Sequence, residues 1–302
     1  MLTQNFPNPS ESIGPEQLSQ PNSSPLPVPS AAVAATAEST KVPSNPNATS
    51  LKKAKRGKEP RISFTQIRRL AAQTAVRVLY QLGFSCAIFG SFACKLYGNS
   101  RIPNDVDILV LPPPESSHTQ EDIKEALVSA DPDHFILKEP RDPAASYRVL
   151  YFCLSASASA STARSSSSKV DILLPDVMHL PALPTSLIEW KGELPVVPLS
   201  VLILQKLQGW DDHRNAVEER YKKKVPADVK DVVWLIGGGD GRNAAVLRDL
   251  KQRRPWNDRA LFSEEFERLS RERVISFCEA FPQHVNIFRN LGFATARDLD
   301  AE

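Results

Sequence analysis

The stretch that decides the reading is SCAIFGSFACKLYGNSRIPNDVDILVL, residues 85–111. SCAIF predicts a short strand, which Gly90-Ser91 ends. FACKLYG follows as a helix of about two turns, closed by Gly98. Asp105 to Leu111, DVDILVL, predicts a second strand, and Pro112 to Pro114 stop it. Side chains alternate across a strand, so Asp105 and Asp107 share a face. Carboxylates so placed repel unless a cation lies between them. Mg²⁺ suits that position, because it takes oxygen ligands and sits on one or two carboxylates plus substrate phosphate.

Downstream, residues 146–154 (SYRVLYFCL) and 169–175 (KVDILLP) predict two more strands. Between them, residues 155–168 (SASASASTARSSSS) give neither a core face nor turn chemistry and read as a flexible insert. The simplest topology is a hairpin with a lengthened loop, because closure entropy rises slowly with loop length. Asp171 stands between Val170 and Ile172, with its carboxylate on one face and two apolar side chains on the other. If that strand joins the same sheet, Asp171 completes a two-metal site. Gly90 would let backbone approach a phosphate, and Ser91 offers a hydroxyl and an N–H near a helix start, where anions are favoured.

Upstream, residues 63–83 place Phe64, Ile67, Leu70, Ala71, Ala75, Val78, Leu79 and Leu82 at helical spacing, with Gly83 as the stop. Residues 119–130 predict another helix. After Pro198, helical patterns follow in SVLILQKLQGW, PADVKDVVWLIG, NAAVLRDLKQR and EEFERLSRERVISFCEAF. The expected class is therefore α+β, a mixed sheet with helices and an α-helical C-terminal part. The expected division is a tail over 1–58, a core over 59–198 carrying the insert 155–168, and a helical part over 199–302.

The tail is rich in Pro, Ser, Asn and Ala and buries too little apolar surface to offset its ordering entropy, so disorder is expected. It runs into LKKAKRGKEPR, residues 51–61, which reads as a solvated charge run or as a nuclear-import or nucleic-acid-binding arm. Across 302 residues, 37 Lys and Arg nearly balance 35 Asp and Glu, which removes any global electrostatic argument for a nucleic-acid or membrane partner. Cys86, Cys94, Cys153 and Cys278 include no close pair, so neither a disulfide framework nor a zinc site is indicated. The five histidines show no ligand spacing. The longest apolar run, Val196 to Leu204, is broken by Pro198 and Ser200 and is too short to span a bilayer. With no secretory signal visible, the expectation is a soluble intracellular protein, cytoplasmic or, given the basic run, nuclear.

Phe89-Gly90-Ser91, then thirteen residues, then Asp105-Val106-Asp107-Ile108 and later Val170-Asp171-Ile172 resembles the DNA polymerase beta-type nucleotidyltransferase superfamily. Arg101, four before Asp105, with Lys206 on a later helix and the pair Lys230-Asp231, is similar to its minimal, AbiEii-like branch. The match covers about residues 64–236. The resemblance implies Mg²⁺ or Mn²⁺ on Asp105, Asp107 and Asp171, with Asp171 also helping to deprotonate the attacking hydroxyl. It implies NTP binding by Gly90, Ser91, Arg101 and Lys206, with Ser91 on the β- and γ-phosphates and Lys206 on the triphosphate. The implied reaction moves a nucleotidyl group from an NTP to a hydroxyl acceptor. RNA, protein, an antibiotic-like small molecule and a nucleotide all stay open as acceptors, and no residue sets the oligomeric state. Phosphoryl transfer on the same fold, or a non-catalytic module binding nucleotide or partner, are the alternatives.

Other residues carry plainer readings. Arg101 could simply pair Asp105 or Asp107, and Lys206 could snorkel to the surface. Lys230-Asp231 reads as a helix-surface pair. Gly237 to Gly241, GGGDG, follows a helix rather than a strand and is a helix stop, not a phosphate loop. Trp210, Trp234 and Trp256 read as core anchors.

Overall fold

Ser63 opens the first helix because its hydroxyl accepts from the Gln66 N–H while the Gln66 side chain accepts from the Ser63 N–H. A computed structural model describes residues 63–113, 115–140, 147–154, 167–237 and 261–293. They lie within one compact unit, Lys58–Glu302. The predicted tail over 1–58, the helix NAAVLRDLKQR, Gly238 to Gly241 and Trp256 lie outside the described residues.

Helix α1 (Phe64–Gln81) buries Ile67, Ala71, Ala72, Ala75, Val76, Val78 and Leu79. The three alanines let it lie close against the sheet. Phe64, Leu70 and Leu82, read from spacing as part of that stripe, are at its margin and exposed; Phe64 is 55% exposed and is covered instead by the Arg68 guanidinium, 5.3 Å from its ring centre. Strand β1 (Ser85–Phe89), helix α2 (Gly90–Leu96), strand β2 (Val106–Leu111) and helix α3 (Gln120–Ala130) follow. Next come β3 (Phe135–Lys138), β4 (Val149–Cys153), β5 (Ser167–Leu173), β6 (Glu189–Lys191) and β7 (Leu194–Val196).

The sheet order is β3-β4-β5-β2-β1-β7-β6. Strand β2 lies in the middle, antiparallel to β1 and parallel to β5. Strands β4 and β5 form the expected antiparallel hairpin, with Leu150 opposite Val170 and Cys153 opposite Ser167. Ser167 and Ser168, read from sequence as the end of the insert, are strand: Ser168 pairs with Phe152 and is buried, since β5 must extend to match the full length of β4. The insert residues 155–166 lie outside the described residues.

The C-terminal helices are α4 (Leu199–Asn215), α5 (Glu219–Lys222), α6 (Val225–Gly237), α7 (Glu264–Ala280) and α8 (Val285–Leu291). The first half of α4 is buried on every side, Leu199 through Gln208, which marks it as the central helix of this layer. Trp210 anchors it, buried edge-on against Phe277 of α7 with ring centres 4.9 Å apart. Trp234 packs partly buried against the same core. The architecture is the α+β class expected, a mixed sheet domain with a helical C-terminal region. No helix among the described residues is long and apolar enough to cross a membrane.

Candidate metal and nucleotide site

Parallel pairing of β2 with β5 sets Asp107 directly beside Asp171, and Asp105 stands two residues before Asp107, at the mouth of β2. One carboxylate oxygen from each lies within 4.8 Å of the others. Asp107 lies in the middle. Its carboxyl is pushed up to about 7, first by burial, then by the charges of Asp105 and Asp171. A carboxylate that resists ionising beside two others is a site short of positive charge. Three oxygen donors at this spacing could hold a hard divalent cation.

Gly90 is required here for a reason that sequence did not give. Its φ is +66°, and a Cβ added to it would lie 2.0 Å from Asp107 Oδ2. Phe89 is in register with Asp107 across β1 and β2, so the turn after β1 passes over that carboxylate. Only a residue without a side chain fits between them.

Lys169 is the functional candidate that sequence reasoning missed. It is two residues before Asp171 on β5, hence on the same face, and its Nζ lies 2.7 Å from Asp171 Oδ2. Burial works against its charge, yet Asp171, Asp105 and Asp107 together raise its pKa. The alternation that paired Asp105 with Asp107 would have found it.

Beside the carboxylates lies a buried ionic network. Arg101 Nε donates to Asp231 Oδ1 at 2.8 Å, and its Nη2 donates to Asp231 Oδ2 and, at 2.6 Å, to Ser91 Oγ. Lys206 Nζ lies 2.9 Å from Asp231 Oδ2 and 3.4 Å from Ser91 Oγ. Asn99 Nδ2 also donates to Asp231 Oδ1. Three sequence readings are corrected by this. Arg101 pairs with Asp231, not with Asp105 or Asp107. Lys206 does not snorkel outward; it is 8% exposed and turned into the cleft. Lys230 is at the surface, but Asp231 is 0% exposed, so the two are not a surface pair. Burial alone would raise the Asp231 carboxyl, and its hydrogen bonds and ion pairs with Arg101 and Lys206 hold it below the ordinary carboxylate value. Two cations against one carboxylate leave one net positive charge at Ser91. Its hydroxyl oxygen already accepts from Arg101 and Lys206, which turns its proton outward to donate.

Both groups line one cleft of about 880 Å³. Its wall from the C-terminal helices carries Gly209, His213 and Asp228, with His213 Nδ1 2.6 Å from Asp228 Oδ2. The segment after β5 adds Val177 and Met178. Asp176, Met178 and His179 there hold φ of 68°, 54° and 56°, a costly conformation for non-glycine residues. Gln205 of α4 holds it through the Met178 carbonyl at 3.2 Å, and His179 stacks on Phe266 of α7.

No family model matches the chain, and no curated protein matches its sequence. Among solved structures, the fold is similar to the crystal structure of an antigenic nucleotidyltransferase-like protein from Paracoccidioides brasiliensis. The TM-score is 0.48 at 10% identity, over 76% of this chain and 94% of that one. It is also similar to the solution structure of the antibiotic-resistance factor ANT(2'')-Ia. There the TM-score is 0.32 at 12% identity, over 61% of this chain and 96% of that one.

Proposed function

We propose that the chain is a metal-dependent nucleotidyltransferase that moves a nucleotidyl group from an NTP to a hydroxyl acceptor and releases pyrophosphate. The observation that carries this reading is the convergence of Asp105, Asp107 and Asp171 within 4.8 Å, in one cleft with the net-positive group of Ser91, Arg101 and Lys206. The donor set is all oxygen and short of positive charge, so it fits Mg²⁺ or Mn²⁺. Such a cation, when bound, offsets the charge that develops on the phosphoryl oxygens.

The chain's own residues take the remaining roles. Ser91 donates to the triphosphate, and Arg101 and Lys206 supply the charge that attracts it. Asp231 holds those two cations in place, so they need no reorganisation when the nucleotide arrives. Asp171 accepts the proton of the attacking hydroxyl, and its pairing with Lys169 keeps it oriented until then. Gly90 keeps the turn clear of Asp107. The acceptor is a hydroxyl of RNA, a protein, a small molecule or a nucleotide.

Two rivals share the site: phosphoryl transfer, and a module that binds nucleotide without turnover. Incubation with ATP labelled at the α- or the γ-phosphate separates them. Transfer of the α label alone supports nucleotidyl transfer. Transfer of the γ label alone replaces it with a kinase, and transfer of neither leaves the binding module. Since the base is not assumed to be adenine, all four NTPs belong in the assay.

A further inference from the structure

Helix α4 presents Leu202, Gln205, Lys206, Gly209 and His213 to the cleft, a spacing of three, four, seven and eleven residues that keeps them on one face. Lys206 marks the phosphate end of that face through Ser91. His213 stands two turns further on, about 10 Å along the helix axis. Between them is Gly209, in the interior of the helix.

Glycine weakens a helix interior relative to alanine. Such a residue is commonly explained by tight packing or a left-handed backbone. Neither applies at Gly209: no heavy atom lies within 4 Å of where its Cβ would be, and its backbone is ordinary helix. The helix is therefore bare on the side facing the cleft, and the free protein has no packing need for that. Beyond it, His213 is held by Asp228 through Nδ1 at 2.6 Å, and its ring stacks on Tyr221 with centres 6.0 Å apart. Asp228 is itself buried. With Nδ1 engaged, Nε2 is the ring's remaining polar atom, held in a fixed place on the cleft wall.

We infer that Gly209 and the His213–Asp228 pair form the nucleoside subsite of the NTP. The flat base or sugar lies on the bare helix surface at Gly209, and His213 Nε2 makes a directional hydrogen bond to a polar atom of the nucleoside. This deepens the proposed nucleotidyl transfer and rests on it, since Lys206 assigns the phosphate end. Lys223 and Lys224 line the same cleft beyond His213, so the assignment rests on the bare helix at Gly209 and the fixed imidazole and not on a want of cations. A flat ring needs an open surface with one or two fixed polar atoms at its edge, and that is what Gly209 and His213 provide.

The test is calorimetric binding of the Mg²⁺ complexes of four α,β-methylene NTP analogues and of tripolyphosphate, to the parent and to Gly209→Ala. The parent is expected to bind at least one analogue about tenfold more tightly than tripolyphosphate. Gly209→Ala is expected to raise Tm by about 2–4 °C, as alanine does at a strain-free helical site. It should also lower the preferred analogue's affinity by about tenfold and leave tripolyphosphate within about twofold. A purely structural glycine would give the rise in Tm without the loss of affinity, and that overturns the inference. Equal losses for analogue and tripolyphosphate also overturn it, because the clash would then fall on the phosphates. His213→Gln should change the order of preference among the four analogues; an unchanged order removes His213 from the subsite. A parent that binds tripolyphosphate but no analogue more tightly sinks the subsite and leaves the phosphate assignment standing. A parent that binds neither sinks both.

Discussion

Asp107→Asn should make the metal-free protein more stable, although it removes the central carboxylate of the proposed metal site. Asp107 lies between Asp105 and Asp171, and its pKa is pushed up to about 7 from an ordinary value of about 4. A folded-state pKa above the unfolded one means that the native state binds the proton more tightly. Stability is then unaffected below about pH 4, falls as pH rises from about 4 to about 7, and stays reduced above that. At 1.36 kcal/mol per tenfold change, ionising this carboxyl costs the native state on the order of 3–4 kcal/mol at pH 8. Asparagine keeps the size and removes the cost, though its amide must find a partner, which lowers the expected gain to about 2 kcal/mol. For a domain of this size that corresponds to about 4–8 °C in Tm. The assay is thermal unfolding with chelator present, from pH 4 to pH 8, for parent and variant. The variant should melt higher at pH 8, and the two curves should converge toward pH 4. Added Mg²⁺ and NTP should raise the parent's Tm and leave the variant's nearly unchanged. A variant that melts lower at pH 8, or a difference that does not depend on pH, would refute the reasoning.

Three further substitutions probe the surrounding residues. Asp171→Asn is expected to lower NTP affinity by less than about tenfold and transfer by at least about a hundredfold, the scale of losing a general base; equal losses would make Asp171 a metal or structural ligand only. Gly90→Ala puts a Cβ 2.0 Å from Asp107 Oδ2 at a φ of +66°, so Asp107 must swing away and divalent-ion binding should be lost together with stability; intact Mn²⁺ affinity in titration calorimetry would show that Asp107 does not hold the metal. Asp231→Asn leaves Arg101 and Lys206 without their buried counter-charge and should cost about 3 kcal/mol, seen as a fall of about 6–12 °C in Tm; an unchanged Tm would show that the network is not stabilising.

The sheet that carries the carboxylates was legible because each of its central strands is marked by its own chemistry. SCAIF runs apolar into Gly90-Ser91, DVDILVL alternates at its start, and KVDIL alternates through Asp171. Strands β3, β6 and β7 were not legible. They have three or four residues, too few to show a period, and β7 contains Pro195. The mutual pairing of Arg101, Lys206 and Asp231 was not legible for another reason. Each is a charged residue with an ordinary surface reading, and only the packing of α2, α4 and α6 brings the three around Ser91. The strained turn through Asp176, Met178 and His179 carries no glycine to announce it, so its backbone conformation was invisible in the sequence. Lys169 was within reach, since it obeys the same two-residue rule as the aspartates.

The central claim is that Asp105, Asp107 and Asp171 together hold the catalytic metal. Crystals grown with Mn²⁺ and a non-transferable NTP analogue, measured at the manganese absorption edge, test it most directly. The account predicts an anomalous peak at about 2.0–2.2 Å from oxygens of Asp105 and Asp107, with Asp171 within reach of the same cluster and the triphosphate extending toward Ser91. A bound analogue with no anomalous peak at these carboxylates, or with manganese held elsewhere in the chain, would contradict it.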